Sequence, residues 1–391
     1  MRVTLGDPQA LIPGFEQVHR EQSAAYPATG VEWQPVHTVY VPADRFDAGT
    51  VAEWGAAALD LLRRHLSRKD MTRFFEMHEQ TARTVHEKVT AKLGTDPIED
   101  LRVDFEDGYG LRPEEEEDGH VTRAAEAIAA LHAAGTLPRR WGLRVKSFAD
   151  GDPVRSIRTL DGFLTEVIDR VGQLPDGFVV TFPKVLMKAY LGQFAGCLEA
   201  LEKGLGLTEG RLRFEMQVEA PQTVRFLDAA LVTSLGGRLA AAHFGVFDYT
   251  ASCSLPPHEQ RLDHPACDHA RHVMQTSFAG TGVELSDGSM AAFPASDDRY
   301  VVRNLWWRHV GLIRHSLSHG FYQGWDMHPS HLVSRYVAVY HFHLSHYEEY
   351  AQRVRAWEEQ RGAEGGVMDE PATVKTMVTA LRRADLALGN A

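Results

Sequence analysis

Cysteine is scarce in this chain: Cys197, Cys253 and Cys267 are the three in 391 residues. An odd number at wide spacing excludes a disulfide framework and predicts a reducing compartment, so a cytoplasmic location is expected. Positive charge is also in deficit, with 41 lysines and arginines against 53 acids and a formal net charge of −12. A nucleic-acid or anionic-membrane surface needs clustered positive charge and is not expected, although a local basic pocket for a small anion remains compatible. No run of about 18 apolar residues occurs, which predicts no membrane span. The opening MRVTLGDPQALIPGFEQ lacks the apolar stretch of a signal peptide. Internal repeats and low-complexity tracts are missing too. What is present, 44% hydrophobic and 24% charged residues, suits a large packed core and excludes a disordered chain.

Short β-branched or aromatic runs alternate with longer helical patterns, the signature of repeated βα units. Strands are expected near 38–42, 101–106, 141–146, 177–182, 211–218, 239–246, 282–286 and 320–327. Helices are expected at 50–67, 122–134, 156–172, 188–204, 221–235 and 304–318. Eight strands fit a closed (β/α)8 TIM barrel, an α/β fold of roughly 250 residues, with the remaining length as additions. A doubly wound open sheet would need a glycine-rich turn after its first strand, and VPADRF offers none. The expected organisation is an N-terminal extension over 1–34 that wraps the barrel, the barrel over 35–345, and a helical tail over 346–391. That tail carries a charged helix at 346–361, a GAEGG turn and a last helix from 371. The acidic run Glu114 to Asp118 reads as a solvated helix start.

Strand faces give the first clue to chemistry, because successive side chains alternate. In RLRFEMQVE the apolar set Leu212, Phe214, Met216 and Val218 should face the helices, leaving Arg213, Glu215, Gln217 and Glu219 for the lumen. The second strand sets Leu101, Val103 and Phe105 against Arg102, Asp104 and Glu106. The third sets Leu143 and Val145 against Arg144 and Lys146. A lumen this polar needs charge pairing or a metal. Arg102, Arg213 and Glu215, deep in the strands, read as an internal network. Asp104, Glu106, Asp107, Arg144, Lys184, Glu219 and Asp248 fall at strand C-terminal ends, the rim where barrel enzymes hold their sites. Oxygen ligands suit a hard divalent cation, Mg²⁺ or Mn²⁺, with Glu219 and Asp248 as the natural pair. The spacing of His264, Cys267, His269 and His272 matches no closed structural zinc site. His258, His264, His269 and His272 read as surface or interface histidines, His341, His343 and His346 as a solvated or subunit-contacting stripe, and Trp306 and Trp307 as core.

Ordered motifs make the chain resemble the citrate lyase β-subunit and malyl-CoA lyase superfamily (HpcH/HpaI aldolase/citrate lyase), which also includes metal-dependent hydroxy-keto-acid aldolases. The resemblance rests on VYVPADR at 39–45, VDFEDGY at 103–109, LRVKS at 143–147 and FPKV at 182–185. It continues through VEAPQTV at 218–224, FGVFDYT at 244–250, GFYQGWDMHPSHL at 320–332 and GGVMDEP at 365–371. Together they span most of the chain.

The resemblance implies a Mg²⁺-dependent carbon–carbon lyase that reversibly cleaves a β-hydroxy acid or its acyl-CoA thioester through an enolate. Glu219 and Asp248 would hold the metal. Arg144 would grip a substrate carboxylate or stabilise the enolate, a task its always-charged planar fork suits. Glu106 and Asp107 would orient it, Asp104 would be structural, and Lys184 would bind substrate. Asp369 would act in proton transfer over a neighbouring subunit's site, implying a catalytic homo-oligomer, a trimer or hexamer among the options. His328, in the H-P element, would bind substrate or fix the last loop. Lys146 and Ser147 stand where asparagine commonly follows the arginine, and Gln323 to Asp326 break up the usual G-K of the last loop. The missing basic residues of the last loop weaken the case for a CoA phosphate partner and favour an alternative, a CoA-independent pyruvate-type aldolase. A non-catalytic relative is a third reading, opposed by the intact metal carboxylates and arginine.

Overall fold

β-branched and aromatic residues pair into eight parallel strands in the computed structural model, which describes residues 4, 8–27, 30–359 and 370–390. These are β1 (His37–Pro42), β2 (Asp100–Asp104), β3 (Arg140–Arg144), β4 (Phe178–Phe182), β5 (Phe214–Val218), β6 (Leu239–Phe244), β7 (Glu284–Ser286) and β8 (Gly324–Asp326). Neighbours run β7-β6-β5-β4-β3-β2-β1-β8. The cylinder closes between β7 and β8 through a Ser286–Gln323 bridge, with the Asp287 N–H donating to Gln323 O at 2.8 Å. The expected barrel is therefore present with all its strands. β5, β7 and β8 are shorter than expected, and at the expected starts of the last two Gly282 and Gly320 adopt left-handed φ of 83° and 76°.

Helices cover the outside: Thr50–His65, Glu114–Ala133, Pro153–Val171, Lys188–Gly204, Pro265–Phe278 and Arg299–Ser318 lie between successive strands. The helix expected at 221–235 is two, Pro221–Phe226 and Ala229–Ser234. Asp228 starts the second by accepting the Leu231 N–H at 2.7 Å. Glu79–Thr95 carries only a weak sequence signal, since Ala82, Val85, Val89 and Leu93 form a narrow buried stripe on an otherwise polar cylinder. The run Glu114 to Asp118 does open a helix with four acids in its first turn. Glu117 is not solvated, however. It is buried and accepts from Lys146 Nζ (2.7 Å), Arg155 Nη2 (2.8 Å) and Thr159 Oγ1 (2.6 Å). Lys146 is thereby turned to the helix layer, away from the lumen.

The apolar core lies between sheet and helices, and takes in Leu101, Val103, Leu143, Val145, Phe214, Met216 and Val218 as the alternation predicts. Trp306 joins it and donates to Ser330 O at 2.9 Å, whereas Trp307, on another helix face, is 61% exposed. His343 is buried against Tyr322, so of the expected solvated stripe only His346 is exposed.

Helix Pro329–Glu358 runs unbroken across residue 345, since no glycine or further proline interrupts it; the charged helix expected at 346–361 is its second half. Pro371–Leu388 packs along it, with Tyr347 Oη donating to Asp385 at 2.8 Å, and its end is tied to helix Glu79–Thr95 by Lys88 Nζ donating to Leu388 O at 2.9 Å. At the other end, helix Phe15–Ala25 buries no side chain. Beyond it, Trp33 stacks on Arg139 and Gln34 donates to Leu285 O. No helix among the described residues is long and apolar enough to cross a membrane.

Candidate active site

The lumen is polar from the bottom up. Arg102 on β2 donates to both oxygens of Glu215 on β5 (2.9 and 2.7 Å) and pairs with Asp100. His243 on β6 approaches Glu215 at 3.2 Å. Burial alone would raise the Glu215 carboxyl, but Arg102 outweighs it and holds it down to about 2. Arg213, expected in this network, is exposed and donates instead to Gly237 O at 3.3 Å, because β5 begins one residue later.

One layer higher, the C-terminal ends of β2 to β5 bring the expected rim residues together. Asp104 ends β2 and organises the turn after it, accepting the Glu106 N–H at 2.9 Å and the Gly108 N–H at 3.0 Å. A Cβ at Gly108 would stand 2.6 Å from Asp104 Oδ2, so glycine is needed there. The same carboxylate takes Arg144 in a two-pronged contact, Nε at 2.7 Å and Nη2 at 2.6 Å, while Glu106 meets Nη1 at 3.1 Å. Asp104, expected to be structural, thus aims the arginine. The Tyr40 ring lies 5.0 Å from this guanidinium and packs on Trp325.

Lys184 adopts a left-handed φ of 48°, a strained conformation for a side chain of this size. That conformation turns its N–H to Glu219 Oε1 at 2.6 Å and its Nζ to Glu106 and to Asp107, the latter at 2.6 Å. Glu219 follows β5, and a Cβ at Gly245 would stand 2.5 Å from the Glu219 Cβ, which explains the glycine of FGVFD. Asp248 sits in the first turn of helix Val246–Ser252. Burial, then repulsion from Glu106 and Asp248, pushes the Glu219 carboxyl up to about 8. Asp248 is also raised, chiefly by burial. Asp107 is lowered, because the bond and charge of Lys184 outweigh its burial.

Arg144, Glu219, Asp248, Asp107 and Asp104 line one cavity of about 470 Å³, together with Tyr40, Trp325, Met327, Arg45 and Ser289. Tyr40 and Arg45 lie in the VYVPADR motif and Trp325 alternates toward the lumen, but nothing in their spacing singles them out. His328 does not line the cavity. It caps helix Pro329–Glu358, its Nδ1 accepting the Ser330 N–H at 3.1 Å, and stacks on Phe293. Asp369 lies outside the described residues.

Buried Glu219 and half-buried Asp248 repel one another, and Arg144 and Lys184 are already paired with other acids, so the two carboxylates make a donor set that fits a hard divalent ion. The molecule is thus a (β/α)8 barrel with a carboxylate–arginine cavity at its C-terminal rim. The chain belongs to the family described as a domain of unknown function, DUF6986, matched over residues 15–388. No curated protein matches it. Its fold is similar to that of a citrate lyase from Burkholderia xenovorans LB400, at 17% identity, covering 92% of this chain and 94% of that one with a TM-score of 0.58. Malate synthase of Haloferax volcanii is similar at 12% identity, with coverages of 91% and 99% and a TM-score of 0.53. CitE of Mycobacterium tuberculosis, solved with magnesium, acetoacetate and coenzyme A, is similar at 16% identity, with coverages of 90% and 98% and a TM-score of 0.51.

Proposed function

We propose that the protein is a Mg²⁺-dependent carbon–carbon lyase that reversibly splits a β-hydroxy acid or its acyl thioester. The observation that carries this reading is the pair of buried Glu219 and half-buried Asp248 beside the Arg144 fork in one rim cavity. Complexes of the similarly folded CitE with magnesium, acetoacetate and coenzyme A support it. Glu219 and Asp248 would hold the ion, which when bound polarises an oxo-acid carbonyl and offsets negative charge.

The chain's own residues supply the rest. Asp104 and Glu106 fix the guanidinium of Arg144, so its charge is in place before the reaction and costs no reorganisation as negative charge develops on the enolate oxygen. Asp107, which lines the cavity, accepts the substrate hydroxyl proton. The carbon–carbon bond then breaks, its electron pair passing into the enolate while the former hydroxyl carbon becomes a carbonyl. Lys184 holds Glu219 through its N–H and ties Glu106 to Asp107. Tyr40 and Trp325 wall the cavity with aromatic surface and limit water at the enolate.

Gln323 to Asp326 break up the glycine–lysine pair that the resemblance places in the last loop, and Asp326 is paired with Arg335 at 2.9 Å. This favours a second reading, a pyruvate-type aldolase that uses the same groups without CoA. Proton NMR in D₂O with Mg²⁺ separates the two. Exchange of the acetyl-CoA methyl protons supports the lyase, exchange of pyruvate alone supports the aldolase, and exchange of neither overturns both.

A further inference from the structure

Asp268, His315 and His319 form a cluster away from the rim cavity, their donor atoms all within 4.8 Å of one another. Asp268 lies in helix Pro265–Phe278, between β6 and β7. His315 lies in the last turn of Arg299–Ser318, between β7 and β8, and His319 is that helix's C-cap. The two histidines are one helical turn apart and so share a face. Asp268 Oδ1 is 2.8 Å from His315 Nε2 and 3.7 Å from His319 Nε2, and each side chain is about a quarter exposed, which leaves an ion a way in.

We propose that Asp268, His315 and His319 bind one zinc ion, or a similar late first-row divalent ion, that clips the two helices flanking β7. Donors about 3.4 Å apart suit a tetrahedral ion with bonds of about 2.0–2.1 Å, so the pair distances of 2.8 and 3.7 Å need to change by about 0.6 and about 0.3 Å, within the reach of side-chain rotation. The tautomer of His319 is preset. Its Nδ1 lies 2.9 Å from the His315 carbonyl oxygen, a contact that requires the proton on Nδ1 and leaves the Nε2 lone pair facing Asp268. Imidazole nitrogens with one carboxylate select zinc-like ions over Mg²⁺. Arg271 touches Asp268 at 2.6 Å but also holds Asp287 at 2.8 Å and Leu262 O at 2.6 Å. It therefore stays partnered when Asp268 turns to the ion. His272, one turn beyond Asp268, stacks on the His319 ring at 5.4 Å, leaving the fourth position to it or to water.

A comparable cluster, His309, Asp326 and His331, does not meet these conditions. Asp326 is taken by Arg335 and His37, while both nitrogens of His331 are engaged, by the Met327 N–H and by Ala292 O. The proposed clip also has a structural task. It joins the helices on either side of the three-residue β7, the strand next to the barrel's thinnest closure.

The test uses untagged full-length protein, stripped by chelation, held in excess Mg²⁺ and titrated with zinc by calorimetry, with Tm read alongside. One zinc per chain and a zinc-dependent rise in Tm are expected. Both should be lost in His315→Gln and in His319→Gln and kept in Glu219→Gln, which separates this site from the rim. Zinc binding by the two histidine variants as strong as in the unaltered protein, or none by the unaltered protein, would overturn the proposal. If His315→Gln fails to fold, His319→Gln, which spares the Asp268–His315 pair, decides alone.

Discussion

Glu219 concentrates the electrostatic tension of the rim. With its carboxyl pushed up to about 8 by burial and by Glu106 and Asp248, the folded protein keeps a proton that the unfolded chain releases above about 4.3. The folded state binds more protons across that window, so the contribution of Glu219 to stability falls as pH rises from about 4.3 to about 8. Without metal, Glu219→Gln should therefore melt higher than the unaltered protein above pH 8, with the difference shrinking toward pH 4; equal Tm profiles would contradict this. Glu219→Gln and Asp248→Asn should both abolish Mg²⁺ binding by calorimetry while the fold survives. In the unaltered protein Mg²⁺ affinity should rise with pH toward 8, since proton and cation compete for the same oxygens. Arg144→Lys tests the fork itself. A lysine retains the charge but cannot make the two-pronged contact with Asp104, so methyl-proton exchange should slow by about 10²–10³ with Mg²⁺ affinity little changed.

Helix Pro329–Glu358 shows how an element can be half-legible. Its start was marked by the H-P pair and its second half by charge. Its unbroken length was not, because residues 329–340 are buried nearly all round and show no amphipathic period. The helix has its own pH dependence. His328, His341 and His343 are each pushed down to about 4, in every case chiefly by burial. Each is neutral when folded, so its contribution is fully present above about 6.5 and is lost as pH falls through about 4. Thermal melts should show a steep loss of stability between pH 6.5 and 4, and His328→Ala should blunt it. That substitution also removes the N-cap acceptor for Ser330 and should cost about 1 kcal/mol at neutral pH by urea titration. Mg²⁺ affinity should not change; a large loss would return His328 to the site, where the sequence motif had placed it.

At the scale of the whole molecule, the barrel was legible because eight short strands announce themselves locally and their alternation assigns lumen and core. The site residues were legible by the same alternation, since Asp104, Glu106, Arg144 and Glu219 all continue the lumen face of their strands to the rim. What alternation cannot reveal is partnership across the lumen: Arg102 and Glu215 are separated by 113 positions, and no local pattern joins them. Nor does it reveal that Arg213, on the same face, stops short of the strand. This hidden network is where the integrity of the barrel is most exposed. Arg102, with no accessible surface, balances two buried acids, Asp100 and Glu215, drawn from β2 and β5. Replacing it with methionine fills the space and leaves both acids without their cation, so Arg102→Met should destabilise the protein by about 3–5 kcal/mol in urea titration. The loss arises from stranded charge rather than lost packing. Adding Asp100→Asn and Glu215→Gln to Arg102→Met should therefore restore a large part of it. A triple variant no more stable than Arg102→Met would mean that the arginine holds the barrel together through its shape and its neutral contacts with Thr181 and the Leu101 carbonyl, and not through its charge.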